Sequence, residues 1–132
     1  MTFALAIAAF AALTFILLNI EVIYTYRTQG THYGWSSNRD PNRTLSALGK
    51  RIKNTYSNQV ESAAYIVPLL VAAALIIPDH AGAQTAAWLI VIGRLIYSAL
   101  YYTGIHGARL VGFGLANVSF IYIAVNILLA VS

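Results

Sequence analysis

Four stretches of the chain are almost continuously apolar, over residues 2–25, 58–77, 84–102 and 109–131. A helix rises about 1.5 Å per residue, so about 20 apolar residues cross the ~30 Å hydrocarbon core. Each stretch is therefore read as a membrane span. The first has no basic residue ahead of it and outruns a secretory signal core, so it is expected to be a retained helix. The second contains Pro68, which a membrane helix tolerates, and closes at Pro78-Asp79-His80-Ala81-Gly82. The third carries Arg94, and the short turn Thr103 to Ala108 leads into the fourth.

Between the first two spans the pattern changes. Residues 26–57 are polar and basic, and Thr31–Arg43 reads as an irregular loop. Leu45, Leu48, Ile52 and Tyr56 then recur at intervals of three and four. That spacing predicts a second helix starting near Thr44, capped by Thr44 or Asn42, before it enters the bilayer. The expected fold is an all-α, up-and-down bundle of four transmembrane helices, one domain over residues 1–132.

Composition agrees. Only 9% of the 132 residues are charged and 59% are apolar, against about 25% and 45–50% in soluble domains. Without cysteine there is no thiolate ligand and no cysteine nucleophile. His32, His80 and His106 lie too far apart in sequence to form a ligand-spaced pair, so no metal site is expected. The net charge of +4 points to orientation rather than to nucleic acid. Arg27, Arg39, Arg43, Lys50, Arg51 and Lys53 occupy the first loop, none the second, and Arg109 the third. The first and third loops are thus expected in the cytosol, with both termini outside.

Ionisable groups within a span are costly and mark functional sites by default. Glu61 and Arg94 stand out among such groups, with Glu21 in third place. Arg51, Asn54, Asn58, Glu61 and Tyr65 share one face of the second helix, and Arg94, Tyr97 and Tyr101 share one face of the third. Glu61 lies about 10 Å beyond Asn54, and Arg94 about 12 Å below Tyr102. At those depths the two are expected to interact directly or through a shared polar network. The combined set forms a cytosolic cleft suited to an anionic or zwitterionic ligand, with Arg51, Arg94 and Arg109 gripping carboxylates. Tyr97 and Tyr101 would donate to that ligand or stack on it. A network that only holds the bundle together is the alternative.

The order of these residues resembles a known family. Arg51, then Asn58-Gln59-Val60-Glu61, then Arg94, Tyr97 and Tyr101, then Arg109 at the start of the fourth helix, is similar to the membrane-associated proteins in eicosanoid and glutathione metabolism, the MAPEG family. The stretch Arg94 to Phe113 looks like its bacterial members. The resemblance implies a homotrimer in a bacterial inner membrane, with glutathione as co-substrate bound between protomers. It also implies a lipophilic substrate arriving through the lipid, in a transferase or peroxidase type of reaction. By position Arg51, Asn58, Glu61, Arg94, Tyr97 and Tyr101 match glutathione-site residues, and Arg27 matches a further basic contact. Arg109 matches the arginine that stabilises the glutathione thiolate. Asn54, Ser62 and Phe113 depart from the pattern, standing where an arginine, an aromatic residue and a tyrosine are found in other members. A catalytically silent trimer that binds lipid or supports a larger complex is the second reading.

Overall fold

The computed structural model describes residues 2–132. Its helices are α1 (Phe3–Gln29), α2 (Thr31–Trp35), α3 (Ala47–Ile76), α4 (Ala81–Thr103) and α5 (Leu110–Val131). All but α2 are long and apolar enough to cross a membrane, as expected of a multi-pass integral membrane protein. Pro68 sits within α3 without ending it.

Three helix starts are capped by side chains. The Thr2 hydroxyl accepts from the Leu5 N–H at 3.3 Å, and Ser46 Oγ accepts from the Gly49 N–H at 3.0 Å. His80 Nδ1 accepts from the Ala83 N–H, also at 3.0 Å. Each satisfies one of the first-turn donors that lack an intrahelical partner.

Two local expectations are corrected. α3 begins at Ala47 behind Ser46, not at Thr44. The Ser46 hydroxyl also meets Tyr24 Oη at 2.7 Å, a tertiary contact that local spacing does not reveal. The stretch expected to be irregular opens with the helical turn α2. Gly30 turns the chain there at φ 88°, and Gly34 lets α2 fold back against Tyr26, where a Cβ would lie 2.6 Å from the ring.

Packing divides the bundle into two halves. At the end away from the basic loop the core is apolar: Phe3, Ala6 and Phe10 of α1 meet Ile66, Leu70 and Ala73 of α3. Ala83, Ala87 and Ile90 of α4 and Ile123 of α5 complete it. Toward the basic end polar side chains join the buried set, namely Thr55, Gln59 and Ser62 of α3 with Arg94 and Ser98 of α4, beside Leu13 and Leu17 of α1 and Ile52 of α3. Large apolar side chains such as Phe15, Leu75, Val118 and Leu129 point outward, as lipid contact requires.

α4 and α5 touch backbone to backbone. A Cβ on Gly93 would sit 2.8 Å from Gly112 O and 2.9 Å from Ala116 N, and one on Gly112 would strike Gly93 O and the Tyr97 backbone. Small residues permit such approach in membranes, where dispersion between close helices drives association. This contact fixes Tyr97 relative to the turn that carries Arg109. Gly112→Val is therefore expected to lower the thermal transition in detergent more than Gly114→Val, since nothing lies within 4 Å of a Cβ at Gly114. Equal losses would show that the close contact does not hold the pair together.

Candidate functional site

The polar half of the bundle is organised by Arg94, which is only 1% exposed. Its Nε donates to Gln59 Oε1 at 3.0 Å and its Nη2 to Asn58 Oδ1 at 2.8 Å. Its guanidinium carbon lies 4.6 Å from the centroid of the Tyr97 ring. Gln59 Nε2 in turn donates to Thr14 Oγ1 at 3.0 Å, and Thr14 donates to Phe10 O at 2.9 Å. One chain of hydrogen bonds thus ties α4 to α3 and α3 to α1. A buried cation needs polar partners on all sides, and here two amides and a ring face supply them.

Of the two arrangements expected for Glu61 and Arg94, the direct pair does not form: Arg94 bonds to Gln59 and Asn58, and no hydrogen bond joins Glu61 to that network. Helix geometry explains why. Gln59 lies on the buried stripe Thr55–Gln59–Ser62, whereas Glu61 is two residues on, about 200° further round α3. Its carboxylate instead lines an open cleft with Asn54, Ser57, Asn58, Tyr97, Tyr101 and Arg109. Asn58 joins the two regions, since it borders the cleft and accepts from Arg94.

The cleft holds about 320 Å³. A second recess of about 340 Å³ adjoins it, bounded by Arg51, His106, Gly107 and Leu110 among others. Tyr101 and Arg109 border both. Each volume is near the lower limit for small-molecule sites, about 300 Å³. Arg109 is exposed, with its guanidinium carbon 4.4 Å from the Tyr101 centroid. The Tyr97 and Tyr101 rings meet edge to face at 5.6 Å, and Phe113 stands 6.5 Å from Tyr97. Arg51 Nε donates to Tyr102 O at 3.1 Å, where a cation also suits the C-terminal end of α4.

Arg51, Asn58, Glu61, Tyr97, Tyr101 and Arg109 therefore line one of two adjoining recesses, and Arg94 supports them from behind. Arg27, in the last turn of α1, borders neither recess. Sequence reasoning missed Gln59 and Thr14. A signal for Gln59 was present: Thr55, Gln59 and Ser62 continue, at spacings of four and three, the apolar stripe of Ile66, Leu70 and Ala73. Among the described residues no cluster of metal-ligating side chains occurs.

The arrangement defines a four-span membrane protein with a polar, partly cationic cleft at one end of its bundle. Residues 3–129 match the model of the MAPEG family, and the protein belongs to that family, which includes glutathione-dependent enzymes. No curated protein and no solved structure matches the chain.

Proposed function

We propose that the protein is a glutathione-dependent membrane enzyme of transferase or peroxidase type, acting on a lipophilic electrophile or hydroperoxide. The observation that carries this reading is the position of Arg109. It is an exposed cation resting on Tyr101 at the boundary of two recesses that also present Glu61, Asn58 and Arg51. Glutathione offers two carboxylates, an ammonium and a thiol. Arg51 suits a carboxylate, Glu61 the ammonium, and the amide of Asn58 a peptide group. Arg94 does not touch the ligand in this account; it positions Asn58 and Tyr97.

Arg109 supplies the chemistry by stabilising the thiolate. A free thiol with a pKa of about 8.5 is mostly protonated at neutral pH, and a neighbouring cation lowers that value. The thiolate then forms a carbon–sulfur bond with an electrophilic carbon. Either a leaving group such as halide departs with its bonding pair or, in conjugate addition, the π pair moves to the neighbouring carbon and is protonated by solvent. With a hydroperoxide it attacks the terminal oxygen, the O–O bond breaks to give the sulfenic acid, and the alkoxide leaves and takes a proton from solvent to become the alcohol. A second glutathione then displaces water from the sulfenic acid to give the disulfide.

The site is completed in a homotrimer, where Arg27 of a neighbouring protomer contributes a further basic contact. The basic loop faces the cytosol of a bacterial inner membrane, with both termini outside. A catalytically silent, lipid-binding trimer is the second reading, favoured by the apolar ring of Phe113 beside Tyr97.

Thermal-shift titration of the detergent-solubilised protein with reduced glutathione and with S-methylglutathione tests the site. Saturable shifts are expected with both, since a ligand at 100 times its dissociation constant adds about 2.7 kcal/mol. Absence of a shift at millimolar concentration would reject glutathione and leave the second reading.

A further inference from the structure

Outside the cleft, the most highly charged recess lies between the last turns of α1 and the first turns of α3. It holds about 210 Å³, and its lining includes Glu21, Tyr33, Arg39, Asp40, Arg43 and Lys53. The fold builds it deliberately. Gly34 presses α2 onto Tyr26 and so presents the neighbouring Tyr33. Two guanidinium groups converge on the Tyr33 ring, Arg43 at 4.4 Å from its centroid and Arg39 at 5.6 Å.

The hydrogen bonds of these arginines go to backbone carbonyls. Arg39 donates through Nη2 to Gly34 O, and Arg43 through Nη2 to Gln29 O at 3.3 Å. Each guanidinium keeps further N–H donors for another acceptor. Of the two carboxylates, Asp40 uses Oδ1 to accept from the Asn42 N–H at 2.8 Å. Glu21 belongs to the inner end. Tyr24 meets Ser46 and Gly49, so in the antiparallel pair Glu21 is level with the turn of α3 that carries Lys53. The recess thus sets three cations, Arg39, Arg43 and Lys53, against two carboxylates, Glu21 and Asp40.

Two cations sharing one ring repel each other until an anion joins them. A tetrahedral group with several anionic oxygens would accept charge-assisted hydrogen bonds from both forks. Arg43 and Lys53 also face an outer recess with Lys50, which adds positive potential along the entry side. Polar helix ends begin at this level, and Trp35 of α2, 79% exposed, is of a residue type enriched at membrane–water interfaces.

We propose that this recess binds a phosphate group, carried by a phospholipid headgroup or by a soluble phosphoester, with Arg39 and Arg43 as its ligands. The site is independent of the cleft that Arg109 borders.

The test is thermal-shift titration of the full-length protein, in an uncharged detergent, with three probes: dioctanoyl phosphatidylglycerol, dioctanoylglycerol and glycerophosphate. The expected result is a saturable stabilisation by the phosphatidylglycerol and none by the dioctanoylglycerol. Arg39→Gln and Arg43→Gln should each weaken the midpoint roughly tenfold, as loss of a charge-assisted bond predicts, while Arg109→Ala leaves it unchanged. A matching shift with glycerophosphate assigns a soluble ligand, and a shift with the lipid alone assigns the headgroup. Equal shifts with phosphatidylglycerol and dioctanoylglycerol, no shift with any probe, or wild-type midpoints in the glutamine variants would overturn the proposal. Arg39 is exposed at the rim, so Arg39→Gln carries the test if Arg43→Gln does not fold.

Discussion

Arg109→Ala is expected to lower turnover of a model electrophile by roughly ten- to thirty-fold at neutral pH. The magnitude follows from ionisation. At pH 7 a thiol with a pKa of about 8.5 is about 3% thiolate, so complete ionisation gains about 30-fold. The defect should shrink as pH rises through that value, because glutathione then ionises without help. A thiolate-stabilising group and a ligand anchor differ here. An anchor would raise KM at every pH, whereas loss of thiolate stabilisation lowers kcat most at low pH. Arg109 is exposed and its guanidinium rests on the Tyr101 ring, so the variant should keep its thermal transition. A pH-independent loss of turnover would remove Arg109 from the chemistry.

The second large effect concerns stability. Gln59→Leu takes the acceptor from Arg94 Nε and the donor from Thr14, leaving a cation deep in the bundle with Asn58 and the Tyr97 face as its remaining contacts. Hydrogen bonds to charged groups contribute about 1.5–3 kcal/mol, and removing one partner leaves the other's desolvation uncompensated. Gln59→Leu should therefore destabilise the protein by about 2–3 kcal/mol by that measure. Arg94→Leu should also be destabilising, and the double variant should lose less than the sum, because Arg94 is no longer there to be stranded. Glu61→Gln, which changes an exposed side chain in the cleft, should be nearly silent in the same unfolding assay and additive with Arg94→Leu. Coupling between Glu61 and Arg94 of the size expected between Gln59 and Arg94 would refute this division of roles.

These contrasts mark how far the sequence can be read. The four spans, the single basic loop and the helix faces that carry Arg51, Asn58, Tyr97 and Tyr101 all follow from hydropathy and a period of 3.6 residues. Such signals are local and repeat along each element. Arg94 was recognisable as an ionisable residue within a span, but its partner was not. Opposite charge favoured Glu61, whereas the rotation of α3 brings Gln59 to α4 instead. An uncharged amide at mid-helix gives little warning of its role until the whole buried stripe is traced. α2 was equally hidden, since its formation rests on Gly34 packing against Tyr26 rather than on any periodicity of its own. The start of α3 depends on Ser46 meeting Tyr24, a contact between residues 22 apart.

The division of the core has a functional consequence. Apolar packing at one end holds the helices together without polar help, so the other end can place amides, phenols and cations around an open cleft. The close contact at Gly93 and Gly112 lies between the two regions and sets the angle at which α5 leaves the Arg109 turn. Changes there should alter the cleft through Tyr97, whose backbone a Cβ at Gly112 would strike, although neither glycine lines it.

Ultraviolet difference absorbance of glutathione bound to the purified protein tests the central claim most directly, because the thiolate absorbs where the thiol does not. At neutral pH the wild-type protein should give a saturable thiolate signal, and Arg109→Ala should bind glutathione without it. Glutathione bound to the wild-type protein entirely as the thiol would contradict the account.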